Sequence, residues 1–124
     1  MIYLDTHVVV WYYVGDAQRF SQPLQTLMNQ HDWVISPIVR LELQYLHEIE
    51  RINPTAESII DSMAQRVGLT ICAKPFNDII SAANQLTWAR DLFDRILVAY
   101  ASLNNDILVT SDQALHSRYP YARW

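Results

Sequence analysis

Glycine and cysteine are nearly missing from this chain, with two and one respectively in 124 residues. Gly15 and Gly68 stand far apart. No G-x-x-x-x-G-K-[ST] loop is therefore available to cradle a nucleotide phosphate, and no glycine-rich turn to seat a dinucleotide. No serine has flanking glycines, which removes the nucleophile elbow of a serine hydrolase. The lone Cys72 excludes an intrachain disulfide framework and offers no zinc cluster. It sits in the apolar run Leu69-Thr70-Ile71-Cys72-Ala73, where a buried, inert thiol is expected. His7, His31, His47 and His116 are scattered, without the spacing of a zinc site. Positive charge is also scarce: nine Lys plus Arg against thirteen Asp plus Glu gives a net charge of −4. That is the wrong sign for a protein that coats nucleic acid. Either there is no nucleic-acid partner, or the acids are gathered in a metal site while basic residues cluster elsewhere or come from a second subunit. No basic run precedes the first apolar stretch, and Asp5 interrupts that stretch, so neither a signal peptide nor a membrane span is expected. A cytoplasmic location is the default that follows.

What the chain does have is apolar content of 51% with only 18% charged residues, the profile of a folded domain rather than a disordered one. Its length is that of one domain, residues 1–124, able to bury roughly two thirds of its unfolded surface. Ile2-Tyr3-Leu4, Trp33-Val34-Ile35, Leu69-Thr70-Ile71 and Ile107-Leu108-Val109 are short, apolar and β-favouring. Helical patterns separate them: Val8–Tyr13 stopping near Gly15, about Ser21–Gln30, a helix opened by Ser36-Pro37, Thr55 to about Val67, Phe76 to about Leu86, and Leu92–Leu103. In the third of these, Ile38, Leu41, Tyr45, Ile49 and Ile52 are expected to form the inward stripe. Phe76, Ile79, Ile80 and Ala83 are spaced for burial in the fifth. A short helix ends near Tyr119, and Tyr121–Trp124 can add an edge strand. Short apolar strands alternating with helices call for a parallel sheet covered on both faces. In such sheets ligands bind beyond the carboxyl ends of the strands.

Several carboxylates fall at those ends. Asp5 directly follows the first strand, where it serves either as a helix N-cap or as a functional acid. Glu42 lies beside the expected stripe of its helix. A carboxylate there must be hydrogen-bonded, paired (with Arg40 or Arg95, for example) or metal-bound. Asp91 and Asp94 have the spacing of an N-cap and an acid in the first helical turn, and for Asp91 the cap is the favoured role. Asp112 follows Thr110 and Ser111 after the last apolar strand and can also cap a helix. Thr110 can orient a neighbouring carboxylate by hydrogen bonding, and Thr6 stands beside Asp5 in the opening turn. Taken together, Asp5, Glu42, Asp94 and Asp112 form a set of acids around one end of the sheet. Such charges repel unless cations compensate them, and an all-oxygen set suits Mg²⁺ or Mn²⁺.

Four segments carry a family resemblance. Met1-Ile2-Tyr3-Leu4-Asp5-Thr6-His7 and Ser36-Pro37-Ile38-Val39-Arg40-Leu41-Glu42-Leu43 resemble the first two acidic motifs of PIN-domain proteins. Trp88-Ala89-Arg90-Asp91-Leu92-Phe93-Asp94-Arg95 and Leu108-Val109-Thr110-Ser111-Asp112 resemble the last two. The likeness is narrower still to the VapC-type toxins of toxin–antitoxin pairs and runs nearly end to end. Leu92 replaces a common proline, and Ser111 stands where a basic residue is frequent.

This resemblance implies a three-layer α/β/α fold with a short, mainly parallel sheet of about five strands. It also implies a Mg²⁺-dependent endoribonuclease (Mn²⁺ substituting), an RNA substrate, a VapB-like antitoxin and a homodimer. Asp5, Glu42, Asp94 and Asp112 would be the catalytic and metal-holding acids. Arg95 would contact the RNA backbone or pair with Glu42, and Ser111 would lie near the phosphate. One rival is a binding module of the same fold that cuts nothing. Another, a phosphatase of the haloacid-dehalogenase type, needs Asp-x-Asp, but the third position here is His7.

Overall fold

The computed structural model describes residues 1–124. Five strands form one parallel sheet: β1 Ile2–Leu4, β2 Trp33–Ile35, β3 Thr70–Ile71, β4 Ile107–Val109 and β5 Ala122–Arg123. Their spatial order is β3-β2-β1-β4-β5, all pairs parallel. The helices are α1 Thr6–Tyr13, α2 Gln22–Asn29, α3 Pro37–Glu48, α4 Ala56–Val67, α5 Phe76–Ala83, α6 Leu92–Ser102 and α7 Gln113–Arg118, with a 3₁₀ turn at Ala17–Arg19. Helices cover both faces, giving the three-layer α/β/α architecture with a short parallel sheet. No helix is long and apolar enough to cross a membrane.

The order of the strands locates the working end. From β1 the chain steps outward to β2 and β3, then returns to the other side of β1 for β4 and β5. The connections therefore diverge between β1 and β4, and a crevice opens beyond their carboxyl ends. Asp5 leaves β1 at that point and Thr110 leaves β4 beside it. Between them the sheet is tight: Ile2, Tyr3 and Leu4 are wholly buried, paired with Ile107, Leu108 and Val109. Continuous apolar strands are what a sheet buried on both faces requires.

Helix starts follow the local chemistry of the sequence. Ser21, Ser36, Thr55, Asp5, Asp91 and Asp112 are all N-caps whose side chains accept a backbone N–H, satisfying donors that the first turn leaves free. α1 stops at Gly15, whose φ of 75° lets Asp16 N–H reach the Trp11 carbonyl at 3.0 Å and Gly15 N–H reach that of Tyr12 at 3.1 Å. That paired closure is the Schellman arrangement, and the left-handed turn favours glycine.

The expected stripe on α3 is not the buried one. Leu41, Tyr45 and Ile49 are exposed, while Val39 and Leu43 are buried, because α3 packs on α1, α4 and α6 with the face a residue or two around from the predicted one. The helix also ends at Glu48, where Glu50 takes a positive φ, so Ile52 lies outside it. Phe76 is exposed rather than buried. α1 begins at Thr6, ahead of Val8, because the Asp5 cap sets its start. α5 stops at Ala83, short of Leu86. β3 is confined to Thr70–Ile71. Cys72 is half-buried rather than buried, and its Sγ accepts a hydrogen bond from the Tyr3 hydroxyl at 3.2 Å.

Candidate functional site

Only three buried residues are polar: Thr6, Ser36 and Thr110. All three lie just past the carboxyl ends of β1, β2 and β4, so buried hydroxyls concentrate at the end where the crevice opens. Every buried side-chain polar atom has a partner, and two of these hydroxyls are spent on acids. Thr110 Oγ1 donates to Asp5 Oδ2 at 2.7 Å, while Thr6 N–H donates to Asp5 Oδ1 at 2.7 Å. Thr6 Oγ1 donates to Glu42 Oε1. One short segment, Asp5-Thr6, thus ties β4 and α3 to the end of β1.

The corner after β4 is fixed as firmly. Asp112 N–H donates to Thr110 Oγ1 at 3.1 Å, and Asp112 Oδ1 accepts from Ala114 and Leu115 N–H at 2.8 and 3.2 Å. His116 Nε2 donates to the Thr110 carbonyl at 2.6 Å, which assigns the proton to that nitrogen. Asp91 Oδ1 accepts from Asp94 N–H at 3.0 Å, which makes Asp91 the cap of α6 and leaves the Asp94 carboxylate in the first turn.

Asp5, Glu42, Asp94 and Asp112 line one cleft of about 380 Å³, together with His7, Val8, Trp11 and Ser111. Neither cation considered for Glu42 reaches it: Arg40 pairs with Glu57 at 2.6 Å, and Arg95 donates to the carbonyls of Ala83 and Asn84. Arg95 instead closes the end of α5 and does not line the cleft. The acids therefore face one another without a compensating guanidinium, and the electrostatics respond. Burial first, then the charges of Asp91, Asp5, Asp112 and Glu42, push the Asp94 carboxyl up to about 6. Burial also raises Asp5, against the lowering effect of its bonds from Thr110 and Thr6.

No three His, Cys, Asp or Glu side chains converge closely enough to grip one ion as they are oriented. Both oxygens of Asp5 and one each of Glu42 and Asp112 accept hydrogen bonds from the protein itself. The donor set nonetheless fits a hard divalent cation in kind, being all carboxylate oxygen on a common cleft.

Trp11 and Val8 entered this wall without a signal in the acidic motifs. Their positions, three and four residues apart from Asp5 or His7 along α1, put them on the helix face beside the cleft. His7 and Trp11 rings stand 5.9 Å apart.

A consequence for stability follows from Asp94. Its carboxyl is raised in the fold from 3.8 to about 6, so the folded state holds a proton that the unfolded chain has released, and stability falls as pH rises through that window. Without divalent ions, Asp94→Asn is expected to stabilise the protein at pH 7 by on the order of 1 kcal/mol, allowing for solvent screening. At pH 4 the gap should nearly close. Calorimetry in EDTA between those pH values reads this difference; a gap independent of pH contradicts it.

A doubly wound α/β domain with acids at its switch point is the class that fold and cleft define. The chain belongs to the PIN domain family, whose model matches residues 2–120. Among solved structures it resembles a toxin–antitoxin complex from Klebsiella pneumoniae, with a TM-score of 0.69 and 17% identity over 100% of this chain and 97% of that one. It also resembles VapBC2 from Rickettsia felis bound to a promoter DNA fragment, with a TM-score of 0.68 and 23% identity over 100% and 99% of the two chains. DNA-bound VapBC from Salmonella typhimurium follows at 0.62 and 17%, over 98% and 94%. No curated protein sequence matches the chain significantly.

Proposed function

We propose that this protein is a Mg²⁺-dependent endoribonuclease, with Mn²⁺ able to substitute, and the toxin of a VapBC-type pair. The observation that carries the reading is the cleft of Asp5, Glu42, Asp94 and Asp112, lined by no Lys or Arg, in a PIN-family chain. Asp5, Glu42 and Asp94 would hold the ion, with Asp112 assisting. When bound, it supplies Lewis-acid polarisation of the phosphodiester and a water of lowered pKa. Thr110 and Thr6 fix the Asp5 carboxylate, and Thr6 also holds Glu42, so two ligands are oriented from one buried turn. Ser111, on the cleft wall, is a candidate for a phosphate contact. The toxin–antitoxin complexes among the structural relatives support an antitoxin partner. The exposed Leu41, Tyr45 and Ile49, spaced at helical intervals of four with Phe76 nearby, support a homodimer, which sedimentation analysis tests.

The rival, a binding module that cuts nothing, draws on the carboxylates' hydrogen bonds to the protein itself. Two measurements separate the readings. Purified protein should cut RNA with Mg²⁺ or Mn²⁺ and stop when EDTA is added, leaving 5′-phosphate ends. Divalent ions should also stabilise the fold by about 2.7 kcal/mol at a hundredfold excess over Kd, seen as a higher melting temperature. Asp5→Asn combined with Asp94→Asn should remove that increment. An unchanged increment puts the ions elsewhere.

A further inference from the structure

Asp5 Oδ2 accepts its hydrogen bond from the Thr110 hydroxyl, which has a single proton to give. Where that proton points is settled further back. Thr110 is wholly buried, and its N–H donates at 3.0 Å to the Arg123 carbonyl of β5. Its own carbonyl lies past the end of β4, where no backbone N–H reaches it. A buried carbonyl left unpaired is costly, and His116 Nε2, at 2.6 Å, is the donor that meets it. His116 is half-buried near the end of α7. It does not line the carboxylate cleft and belongs to none of the acidic motifs.

A grip on that carbonyl sets the peptide plane between Thr110 and Ser111. The plane directs the next residues, which brings Asp112 N–H onto Thr110 Oγ1 at 3.1 Å. A hydroxyl oxygen that accepts on one side turns its proton elsewhere, and here the proton falls on Asp5 at 2.7 Å. The same helix closes the ring from behind: His116 N–H donates to the Asp112 carbonyl at 3.0 Å. We propose that His116 is a positioning residue for the acid site. By gripping the Thr110 carbonyl it keeps the Thr110 hydroxyl on Asp5 and so holds Asp5 ready for a divalent cation. The proposal rests on the metal reading of the cleft and adds to it a residue that touches neither ion nor substrate. A histidine that merely satisfied a carbonyl would contribute stability and leave Asp5 as it is.

Three measurements on the full chain test it. Imidazole nitrogen shifts of the wild type should show a proton on His116 Nε2; a bare Nε2 overturns the proposal without any variant. In EDTA, amide exchange at Asp112 and Thr6, taken relative to the amides of α4, should quicken several-fold in His116→Ala, the worth of one hydrogen bond. It should return toward wild type in His116→Gln, whose side-chain N–H has a similar reach. An unchanged ratio overturns the proposal. His116→Asn, with an amide too short for the carbonyl, replaces the alanine variant if that one does not fold. Calorimetric titration with Mn²⁺, at a temperature where every variant is folded, reads the ion. Thr110→Val should weaken binding by about tenfold or more, the usual loss when the partner of a ligand is removed. His116→Ala should lose several-fold, and His116→Gln should recover it. With Thr110→Val already present, His116→Ala should change the affinity by less than about twofold, because the hydroxyl it works through is gone. Losses that multiply overturn the route through Thr110. Mn²⁺ bound equally by wild type and His116→Ala sinks the role of His116 alone. A wild type that shows the exchange pattern but binds no Mn²⁺ sinks the metal reading and leaves the hold on Asp5 standing.

Discussion

Asp5→Asn and Asp94→Asn are each expected to lose a hundredfold or more of metal-dependent RNA cleavage, while Asp91→Asn stays within a few-fold of wild type. Asp5 and Asp94 line the cleft, and each substitution removes a charge that would fix the ion, a contribution of several kcal/mol in metal-assisted hydrolysis. Asp91 works through one oxygen that accepts the Asp94 N–H, and asparagine caps a helix nearly as well. The contrast is clean because the two acids are three residues apart on one helix start and differ in what they face. Sequencing of new 5′ ends in total cellular RNA, at matched protein concentration, gives the rates. Equal cleavage by wild type and both single variants points to a contaminating nuclease. Equal losses at Asp91 and Asp94 mean that the wrong acid of the pair has been assigned to the ion.

The second large effect concerns the fold. Leu43→Ala should cost about 2–5 kcal/mol, the usual range for emptying a wholly buried leucine site, since Leu43 is 0% exposed. Leu41→Ala, two positions away and 56% exposed in the single chain, should cost no more than about 0.5 kcal/mol at protein concentrations low enough to separate the copies. Urea titration with a common m-value compares them. Comparable losses at both would mean that Leu41 is covered in solution, as a second copy packed on α3 would cover it.

That pair also marks how far the residues spoke for themselves. The strands, the helix starts and the place of Asp5 and Asp112 after β1 and β4 were readable, because caps and short apolar runs are local chemistry. The burial phase of α3 was not. Periodicity favoured Ile38, Leu41 and Tyr45, yet the packing of α3 on α1, α4 and α6 buries Val39 and Leu43, and only tertiary contact chooses between two apolar faces of one helix. The partners of Glu42 were equally hidden. Arg40 and Arg95 were near in sequence or type, but one reaches Glu57 and the other the end of α5, leaving the Thr6 hydroxyl as the bond that orients Glu42. Trp11 carries no acidic signature, so its place on the cleft wall awaited the path of α1. The concentration of buried hydroxyls past the strand ends was visible letter by letter as Thr6, Ser36 and Thr110, yet its meaning depended on strand order.

The sheet that carries all this is widest at its centre and thins at both borders. Its outermost strands, Thr70–Ile71 and Ala122–Arg123, are two residues long. A border that short presents few unpaired amides, and an outer strand ending in arginine repels a like neighbour. Strands as apolar as Ile2–Leu4 and Ile107–Val109 would invite growth of the sheet from molecule to molecule if either lay outermost. Set in the middle, they let the protein be concentrated without strand-to-strand polymerisation, and conditions that open the domain, rather than crowding of the folded form, are where fibrous aggregates should begin.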